Sequence, residues 1–140
     1  MTQFPAKVPI PVGSGDSAEF WSWLRSGELR LQRCDACKVV RHPPQPTCAS
    51  CGSTERTWVR ASGRGEVWSS TTIFPPVLPE FADAAPYQAL VVHLEEGVFM
   101  VTQPAPGLEL TIGEAVEVVV HVVNDDVALP LVRRSPTAAS

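Results

Sequence analysis

Four side chains have the type and spacing for chemistry, and they are the only cysteines in the chain. They read Cys34-Asp35-Ala36-Cys37 and, after ten intervening residues, Cys48-Ala49-Ser50-Cys51. Two residues between thiolates let a tight turn present both sulfurs to one ion, and a second such turn, returned by a short hairpin, completes a tetrahedron. Four thiolates are a soft donor set suited to zinc or iron, and zinc is the default for two knuckles of this kind. Two disulfides are the rival reading, but no feature of the chain suggests export to an oxidising compartment. A redox Cys-x-x-Cys needs one pair only, at the start of a helix in a βαβ setting that this sequence lacks. Four cysteines also close the coordination sphere. With no position left for water or substrate, the Zn2+ is expected to be structural rather than catalytic. His42 lies between the pairs; beside four cysteines it reads as an exposed or hydrogen-bonded histidine rather than a ligand.

No nucleophile elbow, phosphate loop or paired-carboxylate motif accompanies the cysteines. His93 and His121 have apolar, strand-like neighbours, where a packed histidine is commoner than a base. Asp125-Asp126 reads as a solvated turn. The remaining signal is electrostatic. From Arg25 to Arg64, seven arginines and Lys38 face Glu28, Asp35 and Glu55, a balance of +5 that leaves −9 for the rest of a chain whose net charge is −4. Four thiolates with a divalent ion lower that balance to about +3. Arg33, Arg41, Arg60 and Arg64 are candidates to meet phosphates or acidic partner residues; ordinary surface arginine is the simpler reading of each.

The elements that must position these residues follow from pattern. The 140 residues suit one domain or two small lobes, and 14 prolines imply long loops and extended segments. Residues 1–15, with Pro5, Pro9 and Pro11, read as an extended arm. A helix follows, capped by Asp16 or Ser17, with Glu19 placed for a capping box if Asp16 is the cap, and Gly27 ending it. Phe20, Trp23 and Leu24 share one face; Trp21 points elsewhere, covering the core of the ribbon or meeting the arm or a partner. Alternation in 28–33, then Val39-Val40-Arg41 and Thr57–Arg60, supplies short strands around the knuckles, so 16–62 reads as helix plus rubredoxin-like zinc ribbon.

Residues 63–134 read as all β, with strands at 65–73, 88–94, 98–103, 115–123 and 129–133 and turns at Glu95-Glu96-Gly97 and Asn124-Asp125-Asp126. Five short strands match a small closed barrel of the OB type, so the expected fold is mainly β: N-terminal helix, zinc ribbon, five-stranded OB-fold barrel. The loop from Phe74 to Pro86 is long and apolar. Phe74, Val77, Leu78, Phe81 and Tyr87, with Trp21, are candidates for a partner surface or ligand channel, or the loop plugs the barrel end. Residues 135–140 read as a disordered tail. No apolar run is long enough to span a membrane, and the N-terminus lacks a signal-peptide core, so the cytoplasm is the default.

The order of parts resembles a known family. A helix with Phe20-Trp21 precedes a four-cysteine ribbon with Pro43-Pro44 between its knuckles. Gly63-x-Gly65-Glu66-Val67 opens the barrel, Pro86-Tyr87 precedes a strand ending Leu94-Glu95-Glu96-Gly97, and Ile112-Gly113 precedes a valine-rich strand. Over residues 17 to 133 this is similar to the acyl-CoA-associated zinc-ribbon/OB-fold family, first catalogued as a domain of unknown function. Two departures leave the ligands intact: Lys38 stands where the family often has Gly, and Ala49 where it often has Pro. Gln103-Pro104-Ala105-Pro106 replaces a more polar turn.

The resemblance implies a structural Zn2+ and a thiolase-superfamily partner, such as a thiolase, an acyltransferase or a sterol-carrier-type aldolase. It further implies docking on the partner's dimer, two chains of each kind, and a shared acyl-CoA channel whose catalytic residues belong to the partner. Steroid or lipid side-chain degradation is the implied setting. Some relatives are fused to a hydratase-like domain, so the chain reads as a free subunit or an excised domain. The competing function is a single-stranded nucleic-acid module, for which Trp58, Trp68 and the basic ribbon speak and the acidic barrel and scarcity of lysine do not. Catalysis by this chain alone is the least supported reading.

Overall fold

The computed structural model describes residues 14–74 and 86–136. Most of the expected arm and tail, and the loop candidates Val77, Leu78 and Phe81, lie outside the described residues.

One 3-10 turn, Gly15–Ser17, leads into helix α1, Ala18–Arg25. Ser17 occupies the N-cap, but no side chain caps it; its hydroxyl donates back to the Ser14 carbonyl at 2.8 Å. The Asp16–Glu19 capping box therefore does not form, because the preceding 3-10 turn makes Asp16 part of a helical turn instead of its boundary. The exit is as expected. Gly27, at φ 95°, donates to Leu24 O (2.9 Å) and Glu28 donates to Trp23 O (3.0 Å). This is the paired closure in which a left-handed glycine satisfies the last carbonyls.

Strand β1 (Arg30–Cys34) is the centre of a three-stranded antiparallel sheet, flanked by β2 (Val40–Arg41) and β3 (Arg56–Arg60). A second antiparallel sheet holds β4 (Arg64–Ile73), β5 (Tyr87–Leu94), β6 (Phe99–Thr102), β7 (Ala115–Val122) and β8 (Ala128–Arg134), in the order β6-β5-β4-β7-β8. Gly65 is required by close approach: a Cβ there would lie 2.4 Å from the His93 carbonyl oxygen on β5.

The expected closed barrel is not what forms. The sheet curls into an open half-barrel whose edge strands, β6 and β8, meet at one short seam around a Pro104–Val132 bridge, with Ala105 N–Val132 O at 2.7 Å and Val132 N–Gln103 O at 3.1 Å. Strand β6 has only four residues and is followed by Pro104 and Pro106, and β8, though continuous, carries Pro130. Residues without an N–H cannot extend a ladder. Helix α1 covers the open side instead. Its Phe20 and Leu24 join Leu29 and Leu31 of the ribbon lobe and Val67, Leu90, Val92, Val116 and Val132 of the large sheet in one continuous core. The first knuckle thus continues β1, which is anchored by the same core as the half-barrel, and the second lies in the connection from β2 to β3.

Candidate metal centre and the surfaces around it

The two knuckles repeat one backbone design. Lys38 N donates to Cys34 O at 2.9 Å and Gly52 N to Cys48 O at 2.8 Å; Cys34 N donates to Val39 O and Cys48 N to Ser53 O, both at 2.9 Å. The residue after each pair is left-handed, Lys38 at φ 68° and Gly52 at φ 78°. Thr57 Oγ1 donates to Asp35 Oδ1 at 2.7 Å, tying the first knuckle to β3.

The turns bring all four sulfurs within 4.8 Å of one another. Cys34 and Cys51 Sγ are 3.5 Å apart, and Cys37 and Cys48 Sγ 3.6 Å. Four zinc–sulfur bonds of 2.3 Å at tetrahedral angles need sulfurs about 3.8 Å apart, so the cluster fits Zn2+ without rearrangement. The thiols cannot all ionise by themselves. Backbone amides of Cys51 and Ser50 draw Cys48 down to about 6. At Cys51 the Ser53 amide acts the same way, but the Cys34 sulfur, burial and the other two sulfurs prevail and push it up to about 11. A divalent cation resolves that conflict, since it stabilises four thiolates at once. Cys34, Cys37, Cys48 and Cys51 would hold the ion, which would cross-link the knuckles; among the described residues no fifth donor joins the cluster.

The connection between the knuckles is held by a residue that sequence pattern did not single out. Gln32 is 1% exposed, and its Oε1 accepts from Arg41 Nε (2.8 Å) and from Gln45 N (2.9 Å). It sits on the central strand of the ribbon, buried from both sides, where alternation carries no signal. On the far side of that connection, Trp21, His42, Pro44, Val101 and Leu129 line a cleft of about 390 Å³ between α1, the Pro43-Pro44 segment, β6 and β8. The His42 ring lies 5.1 Å from that of Phe20, and burial holds its pKa below the ordinary value.

The other expected site residues are dispersed. Phe74, 67% exposed, follows β4, and Tyr87 opens β5 opposite Ile73; neither lines the cleft that contains Trp21. Arg64 grips Glu95 through Nε (2.9 Å) and Nη2 (3.0 Å), and Arg60 lies 3.6 Å from Glu28. Arg41 is engaged with Gln32 and the Gln45 carbonyl, and Arg33 forms no ion pair among the described residues. Two of the four arginines therefore already have carboxylate partners.

Comparison with known proteins gives the following. Residues 21–55 match the family described as ChsH2, rubredoxin-like zinc ribbon domain, and residues 58–121 match ChsH2, C-terminal OB-fold domain. The chain is 39% identical over 94 residues to a probable enoyl-CoA hydratase alpha subunit of Thermomonospora curvata, covering 67% of this chain and 29% of that one. It is 38% identical over 96 residues to the 3-oxo-4,17-pregnadiene-20-carboxyl-CoA hydratase alpha subunit of Mycobacterium tuberculosis, covering 69% and 30%. It thus spans less than a third of the length of these relatives. Among solved structures, a chain of the Ltp2-ChsH2(DUF35) aldolase superposes with a TM-score of 0.78 at 33% identity, covering 89% of this chain and 98% of that one.

Proposed function

The chain belongs to the ChsH2/DUF35 family of paired zinc-ribbon and OB-fold domains, and from that premise we propose that it is a non-catalytic accessory subunit of a thiolase-superfamily acyl-CoA enzyme. The observation that carries the reading is the closed four-thiolate cluster, which supplies a structural ion and no place for substrate at the metal. The described residues add no nucleophile–base pair or oxyanion site. The chemistry then belongs to the partner, and this chain braces it and helps form the acyl-CoA channel.

Within that reading the reaction is aldol cleavage in preference to thiolysis, supported by the likeness to the solved aldolase complex. The acyl group is of the steroid or lipid side-chain class, supported by the name of the mycobacterial relative. The assembly is two chains of each kind, sharing the acyl-CoA, in a reducing cytoplasm. Among the described residues no helix is long and apolar enough to cross a membrane. Co-expression with a thiolase-superfamily subunit, such as the Ltp2 chain of the solved aldolase, tests the proposal. A co-migrating complex whose mass by light scattering fits two plus two is expected; two proteins that elute separately at micromolar concentration would overturn it.

A further inference from the structure

An exposed aromatic cluster sits on the large sheet, away from the metal centre and the cleft. Trp68, His93 and Phe99 belong to adjacent strands β4, β5 and β6, with His93 directly opposite Phe99. The His93 and Phe99 rings stack at 4.5 Å and 14°. Trp68 meets both edge-on, at 5.5 and 5.4 Å. Trp68 occupies the bulge between Val67 and Ser69, a device that re-aims a side chain. On these strands Val67, Val92 and Met100 fill the core, whereas Trp68 is 55% exposed and Phe99 46%. Val101, 75% exposed, prolongs the cluster along β6 as far as the rim of the α1 cleft, which it also lines. The three rings fix one another in place, so little side-chain freedom remains to be lost on binding. Aromatic anchors of this sort dominate protein interfaces.

Exposed aromatics on an OB-type sheet also suit nucleic acid, and charge decides between the two occupants. Phosphates need free cations. The described part of the large sheet and its loops has three, Arg64, Arg133 and Arg134, and each is bound to a carboxylate: Glu95 at 2.9 Å, Glu117 at 3.2 Å and Glu114 at 2.7 Å. Glu66, opposite His93 on the other flank of β5, forms no ion pair among the described residues. The face is therefore apolar with an acidic margin. It repels a phosphate backbone and complements a protein patch with an apolar centre and a basic rim.

We propose that the outer face of β4–β5–β6, centred on Trp68, His93 and Phe99, is where this chain docks its protein partner. Resting on the accessory-subunit reading, the inference assigns to the thiolase-superfamily subunit a matching apolar patch bordered by lysine or arginine. The three rings stand clear of the metal centre and of the α1 cleft, which the face reaches only at Val101.

The test uses the full zinc-loaded chain, with the co-expressed thiolase-superfamily subunit and the Ltp2 chain of the solved relative as baits, and the variants Trp68→Ser, Phe99→Ser, Val101→Glu and Glu66→Lys. Zinc content and melting temperature should stay at wild-type values, while affinity for the bait falls about tenfold or more for the first three and measurably for Glu66→Lys. Phe99→Ser, outside both the β4 bulge and the α1 cleft, keeps the test intact should Trp68→Ser perturb the bulge or Val101→Glu alter the cleft that Val101 also lines. Unchanged affinity in folded variants, with the wild type binding, overturns this face and leaves the accessory-subunit reading standing. A wild type that binds neither bait defeats that reading and this one together. Oligothymidylate binding at physiological salt that is lost in Trp68→Ser would assign the face to nucleic acid and overturn the proposal.

Discussion

Lys38 and Gly52 hold the same position in the two cysteine knuckles, with the same left-handed backbone and the same hydrogen bond to the first cysteine of each pair. Glycine would suit position 38 for a physical reason. A side chain there pays for a conformation that only glycine adopts freely, and Lys38 adopts it because the Cys34 carbonyl needs the amide.

Lys38→Gly should therefore stabilise the zinc-loaded chain by about 0.5 kcal/mol, the relief of strain less the entropy glycine loses on folding. Gly52→Ala should cost about 1 kcal/mol. A Cβ at Gly52 meets nothing within 4 Å, so conformation alone sets the cost. Chemical unfolding at saturating zinc measures both.

Removing the metal should release the ribbon and spare the half-barrel longest. Cys34 and Cys48 are buried, and without the ion four thiols crowd together with opposed ionisation. Cys48→Ser, or a chelator, is expected to abolish stoichiometric zinc and to raise amide exchange in the knuckles and the Pro43-Pro44 connection before β4, β5 and β7. Because protons compete with the ion for thiolate, zinc affinity should fall as pH falls. Metal analysis with hydrogen exchange resolves the order; uniform exchange across both sheets would contradict it.

Gly65→Ala should destabilise by about 3 kcal/mol, since its Cβ would press the His93 carbonyl and force β4 from β5. The neighbouring Gly63, at φ 81°, has Val118 atoms only at 3.6 Å or beyond, so its substitution meets strain more than collision. Thermal unfolding of the two alanine variants separates these costs.

Two carboxylates set an acid limb. Arg64 hydrogen bonds hold Glu95, and the Thr111 amide followed by Arg134 holds Glu114, below their usual 4.5. A carboxylate depressed in the folded state contributes stability above its unfolded pKa and loses it as pH falls through the folded value. Stability should thus decline from about pH 4.5 downward, and the Glu95→Gln/Glu114→Gln variant should show a flatter decline. Glu95 is exposed and Glu114 half-buried at the surface, so solvent screening keeps the effect at neutral pH small. Unfolding curves between pH 7 and 3 provide the measurement.

Local signals carried much of the fold into the sequence. The cysteine spacing forecast the cluster, and Val116, Val118 and Val120 alternating with Glu117 and Val119 marked β7. What escaped notice depends on partners distant in sequence. Openness of the half-barrel follows from a short β6 facing Pro130 across the seam, a conflict visible only once the two edges are known to meet. Gln32 looks like any polar strand residue until Arg41 and Gln45 converge on it. Trp68, His93 and Phe99 come from three strands, and only the strand register brings their rings together on one face.

Acyl-CoA turnover by the isolated zinc-loaded chain, by the thiolase-superfamily subunit alone, and by the two combined tests the division of labour most directly. No turnover is expected from this chain, little from the partner, and full turnover from the pair, unaltered when Cd2+ replaces Zn2+. Turnover by this chain alone, or full activity of the partner without it, would contradict the assignment of structure to one polypeptide and chemistry to the other.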